Sequence, residues 1–560
     1  MNVFNKNKKK FSLNINSSIK DAIKLINQTE ERICFVVDNK NKLISSISDG
    51  DVRRGILKGV KIDDRITKIH NKKPITFHEN YSYESIIKKF NKRISVIPIV
   101  DSKGLFLGIL RKHDVVPFLD IKSKKILVVG MGYVGLTLAL VLADVGFEVK
   151  GYDKNKKLIK NIKNKKAPFF EKGMQAYLDS QVGNNCNLID RLENFNSDVY
   201  IITVGTPFDK KKNKPDLSNL KKSIIEISKH LKKNDLIILR STVPVGCTRN
   251  IVAPLLEKNS GLKIGKELFL AFCPERTTEG QAIEELKKLP QIIGGYCKKS
   301  LELARRLFNE YTYTLIDTEN LESAEFSKLI DNTYRDTVFA YSNQMALLAE
   351  KLKLNLPEII DKVNIGYERN MIPKPSPGVG GPCLSKDPYI LQSSFRQHNL
   401  EANLTLASRK TNEKMIGHMA ERSDKILSKI GKKIQKSKIF ISGFAFKGNP
   451  ETSDMRNSTT LLFLEHLRRK NIKNIWAHDF KVNKEDLKKL KIKTCTIEQG
   501  FKEADAVFIM NNHLSYNEMN IFRLINSMKK PALFFDSWQL FEPQEIKNIL
   551  GITYASVGTN

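Results

Sequence analysis

Residues 125–136, Lys125-Ile126-Leu127-Val128-Val129-Gly130-Met131-Gly132-Tyr133-Val134-Gly135-Leu136, decide the fold. KILVVG reads as a buried strand, and the glycines at 130, 132 and 135 separate it from an apolar helix that runs to Gly146. FEVKGYD (147–153) is a second strand, so the segment forms a βαβ unit. The glycines allow a tight turn, close approach of a pyrophosphate and close helix–strand packing, beside helix N–H groups that favour an anion. Asp153 ends the second strand 23 residues after Gly130, where a carboxylate accepts hydrogen bonds from a ribose diol and repels a 2′-phosphate. NAD is therefore expected rather than NADP. The same glycines break the one apolar window of membrane length, 126–143, so no membrane span is expected.

Outward from this unit, DVYIITV (198–204), DLIILRS (235–241) and LFLAF (268–272) extend a parallel, doubly wound sheet. From 321 to 352 apolar residues recur at helical spacing without Gly or Pro, which predicts one long helix between two lobes. After Gly431 a second strand–helix alternation runs through KIFISGFAF, STTLLFLEHLRRK, NIWAHD, ADAVFIM and ALFFDSW. The first 120 residues repeat themselves. SSIKDAIKLINQ, ICFVV, LISSIS and DGDVRRGILKG are followed by YSYESIIKKFN, SVIPIV, LFLGIL and RKHDVVPFL, with Asp51 and Asp114 offset by 63 residues. IKSKK (121–125) links this internally two-fold pair to the rest. The expected domains are 1–120, 121–320, 321–430 and 431–560.

The chain of 560 residues is 41% hydrophobic and 28% charged, ordinary globular usage that excludes collagen, a disulfide miniprotein and global disorder. Lys and Arg total 94 against 61 Asp and Glu, a net charge of +33. The excess is mostly lysine spread along the whole length, without the arginine and aromatic concentration of a nucleic-acid module, so it reads as a solvated surface with no specific nucleic-acid partner. Seven cysteines form no CxxC pair and no zinc spacing, which suits a reducing cytosol and predicts no metal. MNVFNKNKKK is not followed by the apolar core of a signal peptide, and a cytoplasmic location is expected.

Pro377-Gly378-Val379-Gly380-Gly381-Pro382-Cys383 ends a glycine-rich loop on a cysteine, with Lys386 and Asp387 just beyond. A thiol beside a lysine and backbone amides is expected to ionise and act as a nucleophile. Lys328 and Asn332, four apart on the long helix, point from one face and suit a developing oxyanion. Glu275 follows a strand of the first sheet, where loops hold ligands; the spacing alone also allows a surface helix cap.

With these motifs in place, residues 124–560 resemble the UDP-glucose/GDP-mannose dehydrogenase family of nucleotide-sugar 6-dehydrogenases. GMGYVG, VGTP (204–207), STVPVG (241–246), CPERTTEG (273–280), AEFSKLIDN (324–332), PGVGGPCLSKD (377–387) and GFAFKG (443–448) occur in the family's order. The resemblance implies an α/β fold of two Rossmann-like doubly wound domains joined by a long central helix, NAD as cofactor, a UDP-sugar substrate and a homo-oligomer of two or more chains. It implies oxidation of a sugar C6 hydroxymethyl to a carboxylate in two hydride transfers through a Cys383 thiohemiacetal and thioester. Lys328 and Asn332 would stabilise the oxyanion, Asp387 would act as a base or hold water, and Glu275 with Thr206 would serve thioester hydrolysis. The cofactor would meet Gly130, Gly132, Tyr133, Val134, Gly135 and Asp153, together with Thr206, Thr242 and Lys386. The substrate would meet Glu279, Lys328, Arg369, Gly380 and Gly381, and Phe446, Lys447 and Arg456. The resemblance also points to supply of precursors for a surface glycan or capsule.

Two departures bear on the sugar. The family's FAFKxxTxDxR stretch is two residues longer here (446–456), and the Asp-Gly-Arg of glucose enzymes reads Asp536-Ser537-Trp538. GVGG before the cysteine and Tyr367-Glu368-Arg369 resemble members acting on UDP-N-acetylhexosamines, whereas PCLSKD keeps the Lys-Asp of the glucose type. The alternatives are a UDP-glucose or GDP-mannose 6-dehydrogenase, or a catalytically silent nucleotide sensor. The intact set Cys383, Lys328, Asn332, Asp387 and Glu275 argues against silence. The first 120 residues resemble a cystathionine-β-synthase-type (CBS) domain pair, an α+β module. That implies an adenine nucleotide between its halves, met by Ser48 and Asp51 in one copy and by Arg111 and Asp114 in the other. Arg111 stands where Ser or Thr is usual, and a structural or dimerising role is the alternative.

Overall fold

The computed structural model describes residues 10–29, 31–71, 73–79, 89–90, 94–111, 121–192, 196–209 and 211–559. It divides into two compact units, 1–121 and 122–560.

The first unit holds β1 (Ser12–Asn14), α1 (Ile19–Thr29), β2 (Ile33–Val37), β3 (Leu43–Ser48), α2 (Asp49–Leu57), β4 (Phe77–His78), β5 (Val96–Val100) and β6 (Phe106–Arg111). They form two three-stranded sheets, β1-β2-β3 and β4-β5-β6, each with one parallel and one antiparallel pairing. The internal repeat extends to its defects: the β2–β3 register slips between Val36 and Val37, and the β5–β6 register slips 63 residues later, between Ile99 and Val100. Phe11, Phe35 and Val37 pack with Val96, Phe106 and Ile109, so both halves share one apolar face. β1 and β4 leave no mark in the sequence pattern, because two or three residues carry no readable alternation. The helices expected at YSYESIIKKFN and RKHDVVPFL fall almost wholly outside the described residues.

The second unit opens with β7 (Ile126–Val129), α3 (Tyr133–Asp144), β8 (Val149–Tyr152), β9 (Cys186–Ile189) and β10 (Val199–Ile202). A small hairpin, β11 (Phe208–Asp209) and β12 (Lys214–Pro215), precedes β13 (Leu236–Leu239), β14 (Phe269–Phe272), β15 (Gln291–Gly295) and β16 (Leu315–Asp317). The first sheet runs β9-β8-β7-β10-β13-β14-β15-β16. The strands ILVV, VYII, LIIL and FLAF are buried along their whole length, as expected when helices cover both faces. The sheet is not wholly parallel as expected: β15 runs antiparallel to β14. The 273–290 connection forms a loop and a short helix, Ala282–Lys288, and returns along the same edge without a crossover.

α4 (Leu321–Leu352) is a single helix of 32 residues, about 48 Å long at 1.5 Å per residue. Asn320 caps it, its side chain accepting from the Ser323 N–H at 2.8 Å, and Lys353 ends it in a left-handed conformation. It packs against α5 (Asp387–Gln397) and α6 (Asn403–Lys429). The second sheet contains β17 (Ile439–Ser442), β18 (Ile475–His478), β19 (Lys493–Thr494), β20 (Ala506–Ile509), β21 (Ala532–Asp536) and β22 (Ile552–Ala555). Its order, β19-β18-β17-β20-β21-β22, is parallel throughout and matches the first six strands of the other sheet. Ala346, Met415 and Met419 join the core of this sheet, so α4 and α6 carry it. Among the described residues no helix is long and apolar enough to cross a membrane.

Candidate active site

The turn after β7 is shaped by its glycines. Gly130 has φ +98°, and a Cβ at Gly135 would lie 1.7 Å from the Gly130 carbonyl oxygen, so α3 rests directly on the strand end. At Gly132 a Cβ would meet nothing within 4 Å, which leaves open space at the helix N-terminus. Asp153 accepts from the Met131 N–H at 2.8 Å and from the Asn155 N–H at 2.8 Å, bracing the turn while facing the space before it. This space is a cavity of about 520 Å³ lined by Gly130, Gly132, Tyr133, Val134 and Asp153, by Thr206 and Thr242, and by Glu275, Glu279, Lys328, Cys383, Lys386 and Arg456. Thr206 donates to the Thr242 carbonyl at 2.5 Å, joining the ends of β10 and β13 at its wall.

Cys383 presents its surface to this cavity. The enclosing walls and the Asp387 carboxylate push the thiol above its ordinary value, against the pull of Lys328 and Lys386. The sequence, which shows the lysine and the amides but not the enclosure, predicts the opposite shift. Lys328, buried on α4, makes no hydrogen bond or ion pair among the described residues and lines the cavity. Asn332, one turn on, does not line it: its Nδ2 donates to Asp387 Oδ2 at 2.5 Å. Lys386 Nζ donates to the other Asp387 oxygen at 2.7 Å; burial lowers this lysine's affinity for its proton, but Asp387 outweighs it and holds the group above its usual value. Gly381 has φ +90°, and a Cβ there would come within 2.6 Å of the Phe446 ring; a Cβ at Gly380 would lie 2.5 Å from the Asn457 carbonyl. The glycines press the cysteine loop onto the second sheet's domain.

Two carboxylates differ sharply. Glu275 is saturated: Arg240 donates to Oε2 through Nε (3.0 Å) and Nη2 (2.6 Å), and the Arg276 and Thr277 N–H groups each donate to Oε1 at 2.7 Å. Burial would raise its pKa, but Arg240 and these donors hold it below the usual range. Glu279 accepts from Arg456 Nη2 at 3.1 Å through Oε1, and its buried Oε2 has no partner among the described residues. Burial and neighbouring Asp454 push it up to about 8. Lys447 Nζ donates to the Glu279 carbonyl at 2.7 Å, and burial lowers this lysine to about 8. Arg456 also lies 5.3 Å over the Tyr133 ring, so it reaches from the second sheet's domain to the cofactor turn. Arg369 is not brought in: it is exposed, 5.5 Å over the Tyr367 ring.

The comparisons agree with this geometry. The pattern for the UDP-glucose/GDP-mannose dehydrogenase family matches in three parts: its NAD binding domain at 124–312, central domain at 322–414 and UDP binding domain at 440–543. UDP-N-acetyl-D-mannosamine dehydrogenase of Pyrococcus horikoshii is 33% identical over 407 residues, 72% of this chain and 93% of its own. The chain belongs to the UDP-glucose/GDP-mannose dehydrogenase family. The enzyme of the same name from Campylobacter jejuni is 31% identical over 72% of this chain and 98% of its own. The solved structure of the Pyrococcus horikoshii enzyme superposes with a TM-score of 0.70 at 32% identity, over 78% of this chain and 99% of that one. The CBS domain pattern matches twice, at 7–58 and 66–120.

The protein is thus an NAD-dependent UDP-sugar dehydrogenase with a CBS domain pair. Its residues fit the cofactor: the open space at Gly132, the free end of α3 and the half-buried Asp153 suit a pyrophosphate and a ribose diol. In the CBS pair, Ser48 and Asp51 form a capping box at the start of α2: Ser48 N–H donates to Asp51 Oδ2 at 2.9 Å, and Arg54 Nη2 donates to Oδ1 at 2.6 Å. Both Asp51 oxygens are engaged. Arg111 donates to Glu31 at 3.2 Å, and Asp114 lies outside the described residues.

Several site-building residues escape sequence reasoning. Arg240 fixes Glu275, and its only sequence signal is a charge at the end of the apolar strand DLIIL. Glu325 accepts from the Gly246 N–H (2.5 Å) and the Thr248 N–H (2.7 Å), tying the STVPVG loop to α4; burial pushes it up to about 7. Glu171 accepts from the Gly280 N–H at 2.7 Å, bracing the Glu279 turn from a loop 109 residues away.

Proposed function

We propose that the protein oxidises the C6 hydroxymethyl of a UDP-N-acetylhexosamine, UDP-N-acetyl-D-mannosamine first among them, to the uronate through covalent attachment at Cys383. The carrying observation is one cavity that holds the cofactor turn at one end and an accessible cysteine at the other, with Lys328 beside it. Relatives named for UDP-N-acetyl-D-mannosamine support the sugar. Bound NAD+ would supply the oxidant, two molecules in turn taking one hydride each from C6, the first as the C6 hydroxyl proton is lost to solvent.

The chain's own residues do the rest. The Cys383 sulfur adds to the C6 aldehyde, its proton passing to the oxygen, and gives a thiohemiacetal that cannot diffuse away. After the second hydride leaves, the hydroxyl proton is lost and a thioester remains; water attacks it, the C–S bond breaks, and carboxylate and thiol are released. Lys328, without a partner among the described residues, offers its cation to the oxyanion of each tetrahedral species. Asn332 is better placed to orient Asp387 than to touch substrate, and Asp387 with Lys386 sets the proton balance around the thiol. Glu275, saturated by Arg240, suits holding charge and backbone in place more than taking a proton from water. Arg456 and Lys447 offer cations to the UDP moiety.

NADH formation against UDP-N-acetylmannosamine, UDP-N-acetylglucosamine, UDP-N-acetylgalactosamine, UDP-glucose and GDP-mannose tests the sugar. Two NADH per uronate with one acetylated sugar is expected; preference for UDP-glucose or GDP-mannose overturns it. Cys383→Ser should lower uronate formation by at least about 10³-fold and leave NAD+ binding intact. Normal uronate production by that variant would sink the covalent route.

For assembly, Tyr334, Tyr341 and Leu348 repeat at intervals of seven along α4 and are exposed. We propose a dimer through this face, which light scattering of the full chain should show; a monomer at micromolar concentration refutes it. For the CBS pair, the ion pair of Arg54 with Asp51, with which a ribose diol would compete, favours an assembly role over adenine-nucleotide binding. A thermal shift of the full chain with AMP, ATP or S-adenosylmethionine would reverse that preference.

A further inference from the structure

Polar side chains recur every fourth residue along one face of α4: Lys328, Asn332 and Asp336. Lys328 reaches the cavity and Asn332 holds Asp387, but Asp336 has no part in the reading above. It is buried between α4 and α6, where its Oδ1 accepts from Arg409 Nη1 at 2.8 Å and from Asn412 Nδ2 at 2.8 Å. Arg409 is only 1% exposed. Its Nη2 donates to the Val379 carbonyl at 2.9 Å and its Nη1 to the Leu384 carbonyl at 3.1 Å. Those two carbonyls bracket Gly380-Gly381-Pro382-Cys383, so one guanidinium grips both ends of the segment that carries the thiol.

The same network grips the loop once more upstream. Asn343 donates to Asn412 at 2.9 Å and accepts from the Ser376 N–H at 2.8 Å. Gly378, with φ +102°, passes so close that a Cβ there would lie 2.6 Å from the Asn412 carbonyl. Burying a guanidinium is costly, and an apolar pair would fill this space with less desolvation. What the charge supplies is geometry: a planar fork reads a carboxylate and two carbonyls at once, which a lysine point charge cannot do.

We infer that Asp336 and Arg409 are positioning residues that set the place of Cys383 along α4 relative to Lys328. The inference rests on Cys383 being the nucleophile. Displacement of a nucleophile by about 1 Å is enough to lower turnover by about 10²-fold, so a loosened bracket has a large effect without any contact to substrate.

The test measures carbamidomethylation of Cys383 by iodoacetamide in the full chain, followed by peptide mass spectrometry, beside kcat and KM for the best sugar and NAD+ binding. Arg409→Lys should change the alkylation rate by at least about 5-fold and lower kcat by about 10–100-fold, with NAD+ affinity within about 2-fold of the parent. Asp336→Asn keeps an acceptor at Oδ1 and places an amide where Oδ2, without a partner among the described residues, stands; a smaller shift in both readouts is expected. It decides the matter if Arg409→Lys does not fold. A drop in melting temperature with alkylation and kcat unchanged in these variants overturns the positioning role. Failure of the covalent reading is separate, because it shows as full turnover in Cys383→Ser.

Discussion

Asp153 and Asp479 stand at the same place in two sheets of the same strand order, each on the residue after the second strand. Both brace the turn that follows the first strand. Asp153 takes the Met131 N–H, and Asp479 takes the Phe444 N–H at 2.6 Å and the Ala445 N–H at 3.0 Å. The difference lies in what fills the crevice in front of them. After β10 the chain continues with Thr203, Val204 and Gly205, which line the cavity and leave it open. After β20 it continues with Asn511 and His513, and a Cβ at Gly443 would lie 2.5 Å from the Asn511 side chain. His513 Nε2 stands 3.3 Å from Asp479, whose side chain is fully covered. In these two sheets the residues that end the fourth strand make the difference: they leave the space before Asp153 open and pack the space before Asp479. The UDP binding domain meets the cavity through the loop that follows its central strand β17: Lys447 donates to the Glu279 carbonyl and Arg456 lines the cavity wall.

The sharpest way to break this comparison is to remove each carboxylate in turn. Asp479 also accepts from the Lys481 and Val482 N–H groups at 2.7 and 2.8 Å. Burial would raise its pKa, yet His513 and these donors lower it to about 2. A depressed carboxylate stabilises the fold above its unfolded pKa of about 3.9 and loses that contribution as pH falls through about 2. Asp479→Asn should cost about 3–5 kcal/mol in urea unfolding at pH 7 and leave NAD+ affinity unchanged. The equivalent change at the open crevice, Asp153→Ala, should do the reverse: an NAD+ Kd raised by about 10–100-fold, relaxed discrimination against NADP+, and near-parental stability. Weaker NAD+ binding in the Asp479 variant, or a large stability loss in the Asp153 variant, would show that the two carboxylates share one role.

This contrast also explains what was legible in the sequence. The glycine turn, the strands ILVV and LIIL, and α4 from Leu321 to Leu352 announce themselves through local periodicity and backbone demands. The direction of β15 does not, because it depends on whether the 273–290 segment crosses a face or returns along an edge. Glycines before Cys383 were readable as a loop, but their reason, contact with Phe446 and Asn457, is long-range. Charged residues at buried joints are the hardest class. Arg240, Arg409 and Glu171 look like surface residues until the fold encloses them, and the enclosure also reverses the expected shift of the Cys383 thiol. Only Asp336 carries a local sign, its spacing from Lys328 and Asn332.

The smallest effect concerns the seam between the open and the closed crevice. There Gly280 passes so close to the second sheet's domain that a Cβ would lie 2.1 Å from the Glu451 carbonyl, and Glu279 is half-buried beside it. Burial and Asp454 raise Glu279 to about 8, above its unfolded value of about 4.3, so the native state binds this proton more tightly than the unfolded chain. Its contribution to stability is complete below about pH 4.3 and is lost as pH rises through about 8. Between pH 6.5 and 8.5 the melting temperature of the ligand-free parent should therefore fall by about 1–3 °C more than that of Glu279→Gln, which cannot ionise. Parallel slopes would mean that Glu279 is already charged at pH 6.5. The seam would then be held by its pairing with Arg456, and the two domains would meet there through an ion pair instead of a protonated carboxyl.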